Sequence, residues 1–130
     1  MATFNHLAQS KELYQKAKEE FEKAQEKKDG DALRNACAKG WLSAIEATYA
    51  YLAQKGVKEE ELPKGGDRGR RFMVNKYFEK ELRPYYFFLR DQFHIEGYYE
   101  GSLDFDEVAT LLDDLNLYIE KIVKLTGGHH

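Results

Sequence analysis

The sequence predicts an all-α protein, an antiparallel four-helix bundle that forms one domain over residues 1–126. Three observations lead to this class. Apolar residues recur at helical spacing in every long segment, and no segment shows the apolar–polar alternation that a half-buried strand requires. The chain has 130 residues, 42% of them hydrophobic and 33% charged, which suits one globular core.

The first helix is predicted from about Thr3, a suitable N-cap, to Lys28, and Gly30 would stop it. The second is predicted from its N-cap Asp31 to Gly56. The short link between them predicts an antiparallel hairpin. The inward face of the first helix is predicted to contain Leu7, Ser10, Tyr14, Ala17, Phe21 and Ala24, and that of the second Leu33, Cys37, Trp41, Ala44, Ile45, Thr48 and Leu52.

A ridge of small residues along the second helix consists of Ala36, Gly40, Ala44 and Ala47. Glycine in mid-helix costs ~1 kcal/mol relative to alanine. Gly40 is therefore expected to mark a close contact, either inside the bundle or between subunits.

The third helix is predicted after the break at "ELPKGGDRG", with Phe72, Met73, Tyr77, Phe78 and Leu82 at helical spacing. Pro84 removes a backbone donor and clashes with the preceding turn, so this helix should kink near Arg83. A kink is favoured over a complete stop. The last helix is predicted from the capping box of Asp104 and Glu107. Its inward face should contain Val108, Leu111, Leu112, Leu115, Tyr118, Ile119 and Ile122.

The sequence favours a cytoplasmic protein with no membrane association. No apolar run reaches the ~20 residues that a membrane-spanning helix needs, and the first residues lack the layout of a signal peptide. The single cysteine, Cys37, cannot form a disulfide within the chain, which agrees with a reducing compartment. Residues 127–130, "GGHH", are similar to the remains of an expression tag.

The chain carries a net charge of −3, yet residues 64–90 contain eight basic residues against three acids. This local excess makes phosphate a candidate ligand. The candidate ligand-binding residues are Arg68, Arg70, Arg71, Lys76 and Arg83. Other known ligand-binding motifs are absent. The stretch "KGGDRGRR" lacks the spacing of a phosphate-binding loop. A lone Asp91-x-x-His94 pair is too small a ligand set to predict a metal, so no cofactor is expected.

The stretch "LRDQFHIEGYYEG" contains the candidate catalytic residues Arg90, Asp91 and His94. In an α-helix, Arg90 and His94 would lie about 40° apart on one face. A guanidinium can hold a phosphate and a histidine can transfer protons near neutral pH, so the pair could act on a phosphodiester without a metal. The alternative is structural: Arg90 pairs with Asp91 or with an acid of the last helix, and His94 interacts with the last carbonyls of its own helix.

Two helices rich in alanine and aromatic residues, the Arg90-Asp91…His94 stretch, and "GYYEGSLDFDEV" before a last amphipathic helix resemble the HEPN superfamily, including its small stand-alone members in thermophilic microbes. The resemblance covers most of residues 3–125. It implies a dimeric four-helix bundle that cuts RNA without metal, through an arginine, a polar residue and a histidine. Arg90, Asp91 and His94 match these three positions.

Only three residues separate Arg90 from His94, whereas four to six separate the matching residues of HEPN nucleases. This favours a binding or adaptor module, a homodimer that holds a nucleotide, an RNA or a partner protein such as a nucleotidyltransferase. The alternative is a metal-independent endoribonuclease. A purely structural or assembly protein is the second alternative.

Overall fold

The computed structural model describes residues 2–127, which form an all-α protein, as predicted. The α-helices of these residues are α1 (Ala2–Lys27), α2 (Gly30–Gln54), α3 (Asp67–Tyr77), α4 (Arg83–Leu89) and α5 (Phe105–Leu125). A short 3₁₀ turn (Glu59–Glu61) lies between α2 and α3, and a π-helix (Arg90–Tyr99), here called the π segment, follows α4. None of these helices is long and apolar enough to cross a membrane. The histidines of the predicted tag remnant lie outside the described residues.

The core is built around α2, against which α1, α5 and the π segment all pack. The predicted inward faces of α2 and α5 are buried in full, and that of α1 is buried apart from Tyr14, which is half-buried. Two buried serines join α1 to α2: Ser10 Oγ donates to the Ser43 carbonyl at 2.8 Å, and Ser43 Oγ donates to the Ser10 carbonyl at 2.7 Å. The predicted inward face of α1 therefore packs against α2.

The boundary between α1 and α2 differs from the prediction. Asp29, not Asp31, is the N-cap of α2, and its carboxylate accepts from the backbone N–H groups of Asp31 and Ala32 at 3.0 and 3.2 Å. Gly30 is the first residue of α2 instead of a stop for α1. The chain turns at Lys28, which adopts a left-handed conformation with φ 53°. A lysine makes this turn, so the prediction that Gly30 would stop the first helix was wrong.

The predicted third helix is split into α3 and α4, with residues 78–82 between them. Pro84 occupies the first turn of α4, where a helix has no use for the missing N–H and the fixed φ of proline is suitable. A new helix therefore starts at Arg83, just before Pro84, in place of the predicted kink, and residues 2–127 contain five α-helices instead of the four predicted. The capping box of α5 is confirmed: Glu107 N–H donates to Asp104 Oδ1 at 2.8 Å, and Asp104 N–H donates to Glu107 Oε1 at 3.0 Å.

The π segment is unusual because π-helices are mostly single turns inserted into α-helices, whereas this one has ten residues. Leu89, Phe93 and Gly97, spaced four residues apart, are all buried. In an α-helix each step of four would rotate the side chain by about 40°. In the wider turn of a π-helix a step of four falls just short of a full turn, and the three positions face the core.

Two glycines allow the π segment to approach α2. A Cβ on Gly40 would lie 2.5 Å from the Phe93 ring, and one on Gly97 would lie 2.7 Å from Cys37 Sγ. The close contact predicted at Gly40 is therefore inside the chain, where it admits a fully buried Phe93. Cys37 is buried as well, and this burial raises the pKa of its thiol to about 11.

Candidate functional site

The carboxylate of Asp67, the first residue of α3, lies near three arginines and a tyrosine from α3, α4 and the π segment. The carboxylate accepts from Arg90 Nε and lies 3.0 Å from Arg71 Nε and 4.0 Å from Arg70 Nε. The Tyr86 hydroxyl donates to it at 3.0 Å. We call Asp67, Arg70, Arg71 and Arg90 the arginine cluster. A carboxylate at the start of a helix is also stabilised by the helix dipole.

Arg90 is shared between two carboxylates. In addition to Asp67, its Nη1 donates to Asp91 Oδ1 at 3.1 Å. The Asp91 side chain is 62% exposed, whereas that of Asp67 is 13% exposed. The pairing of Arg90 with Asp91 that the sequence suggested as a structural alternative is present, but the more buried partner is Asp67, which the sequence analysis did not identify.

Arg70 is an interior member of the arginine cluster, only 8% exposed. Its Nη1 donates to the Tyr49 hydroxyl at 3.3 Å, and Tyr49 in turn donates to the Pro63 carbonyl. Its guanidinium lies 5.9 Å from the centre of the Trp41 ring. Among the described residues, Arg70 Nε has no hydrogen-bond partner. Arg70 thus connects the cluster to α2 and to the chain before α3.

His94 lies in the π segment between two aromatic rings. Its ring stacks on Trp41, with centres 5.5 Å apart and planes at 23°, and it meets the edge of Tyr99 at 4.8 Å. Within residues 2–127, neither ring nitrogen of His94 forms a hydrogen bond to the protein. The predicted alternative contact with helix-end carbonyls is therefore not formed, and a buried tryptophan holds the ring instead.

Burial lowers the pKa of His94 below its ordinary value. The charge of Asp67 opposes this shift, while the charges of Arg90 and Arg70 add to it. His94 is therefore mostly neutral at pH 7, and it lies within electrostatic reach of the arginine cluster. A neutral imidazole can accept a proton or a hydrogen bond.

Tyr99 is an exposed ring next to His94, and its backbone is fixed by α2. Arg34 donates from Nε to the Tyr98 carbonyl at 2.9 Å and from Nη2 to the Tyr99 carbonyl at 3.0 Å. Tyr99 is 60% exposed. An exposed aromatic ring beside basic groups is a suitable surface for stacking a nucleobase.

The remaining predicted ligand-binding residues lie apart from Asp67 in their contacts. Arg68 is exposed on α3, and Lys76 lies over the Phe72 ring at 6.0 Å. Arg83 Nε donates to a backbone carbonyl 3.2 Å away. In the described part of the chain, none of these three cations forms an ion pair with Asp67. The structure thus brings together Arg70, Arg71 and Arg90 and leaves the other basic residues out of the cluster.

Asp67 and Trp41 were not predicted as site residues, although Trp41 was predicted on the inward face of α2. Asp67 had a local signal, because "DRGRR" places arginines three and four residues after an acid, the spacing of helical ion pairs. Trp41 had none, since its contact with His94 joins distant parts of the chain. No group of three or more His, Cys, Asp or Glu side chains in residues 2–127 could hold a metal ion.

The chain matches no known family model and no curated protein. The resemblance to HEPN proteins therefore stays a prediction.

Proposed function

We propose that the protein is a HEPN-like binding module that holds the phosphate groups of an RNA or a nucleotide at the arginine cluster. One observation carries the proposal. The Asp67 carboxylate pairs with the Nε atoms of both Arg71 and Arg90. Among the described residues, the terminal nitrogens of Arg71 have no protein partner. The carboxylate would therefore orient two guanidiniums while leaving donors for a phosphate, which arginine binds through its terminal nitrogens.

Charge and exposure support the same function. The arginine cluster with Asp91 has three positive and two negative side chains. The Arg71 side chain is 45% exposed and that of Arg90 is 23% exposed, so both are accessible to a ligand, whereas Arg70 is placed to support them from within. Tyr99 would add a stacking surface for a base.

The test is binding of a fluorescent single-stranded RNA of about ten nucleotides, and separately of AMP, at low salt. Arg71→Gln should weaken binding by roughly tenfold and reduce the dependence of log Kd on log salt by about one unit. Lys23→Gln, which removes the same charge from an exposed position on α1, is the control. The proposal fails if neither probe binds, or if both variants bind equally well. Binding of AMP as tight as that of RNA would identify a nucleotide ligand.

A second candidate function is the metal-independent endoribonuclease. It is favoured by His94, whose lowered pKa keeps it neutral at pH 7 and whose ring nitrogens have no hydrogen-bond partner in residues 2–127. His94 would transfer protons, Arg90 would hold the phosphate and Asp91 would orient Arg90. RNA cleavage should then persist in EDTA and be lost in His94→Ala. Cleavage that survives His94→Ala would exclude this function.

The proposal includes a homodimer, because the resemblance implies that two copies of the motif meet at one ligand. The same RNA titration measures this directly. A stoichiometry of one RNA for two chains is expected, and one RNA for each chain in a monomer would contradict it. If the module holds a partner protein in place of an RNA or a nucleotide, a nucleotidyltransferase is the proposed partner.

A further inference from the structure

A groove runs between α5 on one side and residues 79–82, α4 and the start of the π segment on the other. It consists of three neighbouring concavities of about 260, 330 and 330 Å³. The middle one shares Phe88 and Asp114 with the one near the start of α5, and it shares Tyr85 with the one near the end of α5. Small-molecule pockets are typically enclosed and ~300–1,000 Å³. A row of open concavities, each near the lower end of that range, is better suited to the side chains of an extended element.

The middle of the groove is apolar and exposed. Tyr85, Phe88 and Leu117 are 38%, 46% and 52% exposed, although each is a large hydrophobic side chain. All three line the same concavity, together with Pro84 and the buried Leu89. Apolar residues that are exposed next to one another, unlike single scattered ones, are typical of interaction sites.

The rest of the groove is predominantly acidic. Five carboxylates line it, those of Glu79, Glu81, Asp106, Glu107 and Asp114, against two lysines, Lys121 and Lys124. Lys121 lies over the Tyr85 ring at 5.1 Å, and within the described chain no lysine or arginine forms an ion pair with any of the five acids. Burial and the neighbouring Asp113 raise the pKa of Asp114. The groove therefore has an apolar centre, a negative end at Asp106, Glu107 and Asp114, and an opposite end where Glu79 and Glu81 are balanced by Lys121 and Lys124.

We propose that this groove binds a basic amphipathic helix of a partner protein. Apolar side chains of the helix would fill the concavities at Tyr85, Phe88 and Leu117, and its flanking lysines or arginines would face the carboxylates. From Asp106 to Lys124 the groove extends about 27 Å along α5, the length of a helix of about 18 residues. Recognition of this kind uses apolar anchors at every third or fourth helix position.

The test uses two synthetic helical peptides of about 18 residues with the same leucine stripe, one with lysines and the other with glutamates on the flanks. The lysine peptide should bind at least about tenfold more tightly, a difference of about 1.4 kcal/mol, and high salt should reduce this preference. Leu117→Ser should weaken its binding by a similar factor. Leu42→Ser is the matched control, because Leu42 is 46% exposed on α2 and does not line the groove.

Three results would overturn the proposal. One is failure of the lysine peptide to bind, and another is equal binding of the two peptides or of the two leucine variants. The third is a dimer of the chain that depends on Leu117 in sedimentation experiments, since a second copy would then occupy the groove. Binding at the arginine cluster is measured independently with RNA, so either proposal can fail without the other.

Discussion

The α1–α2 pair and the region of the arginine cluster pack against the same central helix in different ways. Between α1 and α2, two reciprocal serine hydrogen bonds and the Glu20–Lys39 ion pair join the helices, and both helices keep regular α geometry. On the other side, a buried Arg70, a fully buried Phe93 and the stacked His94 must be accommodated. There the chain is split into two short helices and continues as a π-helix.

The difference is that the irregular backbone lies where the Phe93 ring packs on Gly40 and the His94 ring stacks on Trp41. Phe21 is buried within the regular helix α1, whereas Phe93 belongs to the π segment and packs where a Cβ on Gly40 would clash with its ring. The irregular region is also where the candidate functional residues lie. π-helical turns are frequent at functional sites, which agrees with this arrangement.

The largest expected effect is that of Phe93→Ala. This change removes a fully buried ring between the π segment and α2, so the free energy of unfolding should fall by ~3–5 kcal/mol. Urea denaturation followed by circular dichroism measures it. A loss under about 1 kcal/mol would mean that the π segment contributes little to the core.

The next effect tests the charges of the arginine cluster. Asp67→Asn keeps the side-chain shape but leaves buried Arg70 without its carboxylate, so we expect a loss of ~3 kcal/mol. Asp91→Asn also removes a carboxylate from Arg90, but its side chain is 62% exposed, and the loss should be under ~0.5 kcal/mol. Similar losses in the two variants would show that the buried carboxylate of Asp67 contributes no more to stability than the exposed carboxylate of Asp91.

Gly40→Ala tests the close contact between Gly40 of α2 and the Phe93 ring. The new Cβ would meet the Phe93 ring, so a loss of ~1–3 kcal/mol is expected despite the better helix propensity of alanine. Gly30→Ala has open space and should be neutral or stabilising. In a Phe93→Ala background, Gly40→Ala should no longer destabilise, and a thermodynamic cycle of the four proteins measures this coupling.

The smallest effect concerns His6 in α1, which joins that helix to α2 and to the 3₁₀ turn. Its Nδ1 is 2.7 Å from Glu46 Oε1, and its Nε2 is 3.0 Å from Glu59 Oε2. Burial alone would lower the pKa of His6, but the hydrogen bonds to the two glutamates and their negative charges together outweigh burial and raise it. The raised pKa means that folding favours protonated His6, so the stabilisation is full below the unfolded pKa of about 6.5 and is lost as pH rises through the folded value.

Wild-type protein should therefore have a higher Tm than His6→Gln near pH 6, and the difference should shrink towards pH 9. A difference in Tm that does not change with pH would show that the charge of His6 is irrelevant to folding.

Local patterns predicted the regular region well and the irregular region poorly. The buried face of α5 and its capping box depend on residues three or four apart, and both were confirmed. Pro84 was ambiguous because the same ring kinks one helix or begins another. The four-residue spacing of Leu89, Phe93 and Gly97 is visible in the sequence, but only the opposing Gly40 and Cys37 show why a wider turn fits.

The candidate site was predicted in part for the same reason. Arg90 and His94 were identified from one short stretch, whereas Asp67 and Trp41 reach them across 23 and 53 positions of the chain. Contacts between positions so far apart leave no periodic pattern in the sequence.

The π segment also changes the meaning of distance along the chain. In an α-helix, four positions exceed a full turn by about 40°, but in the wider turn of a π-helix the same four positions fall short of one. The number of residues between Arg90 and His94 can therefore be compared with that in another protein only if both helices are α-helices. A motif defined by spacing should be compared by the angle between its side chains, and one inserted or deleted residue here would change that angle without changing the residues that carry the chemistry.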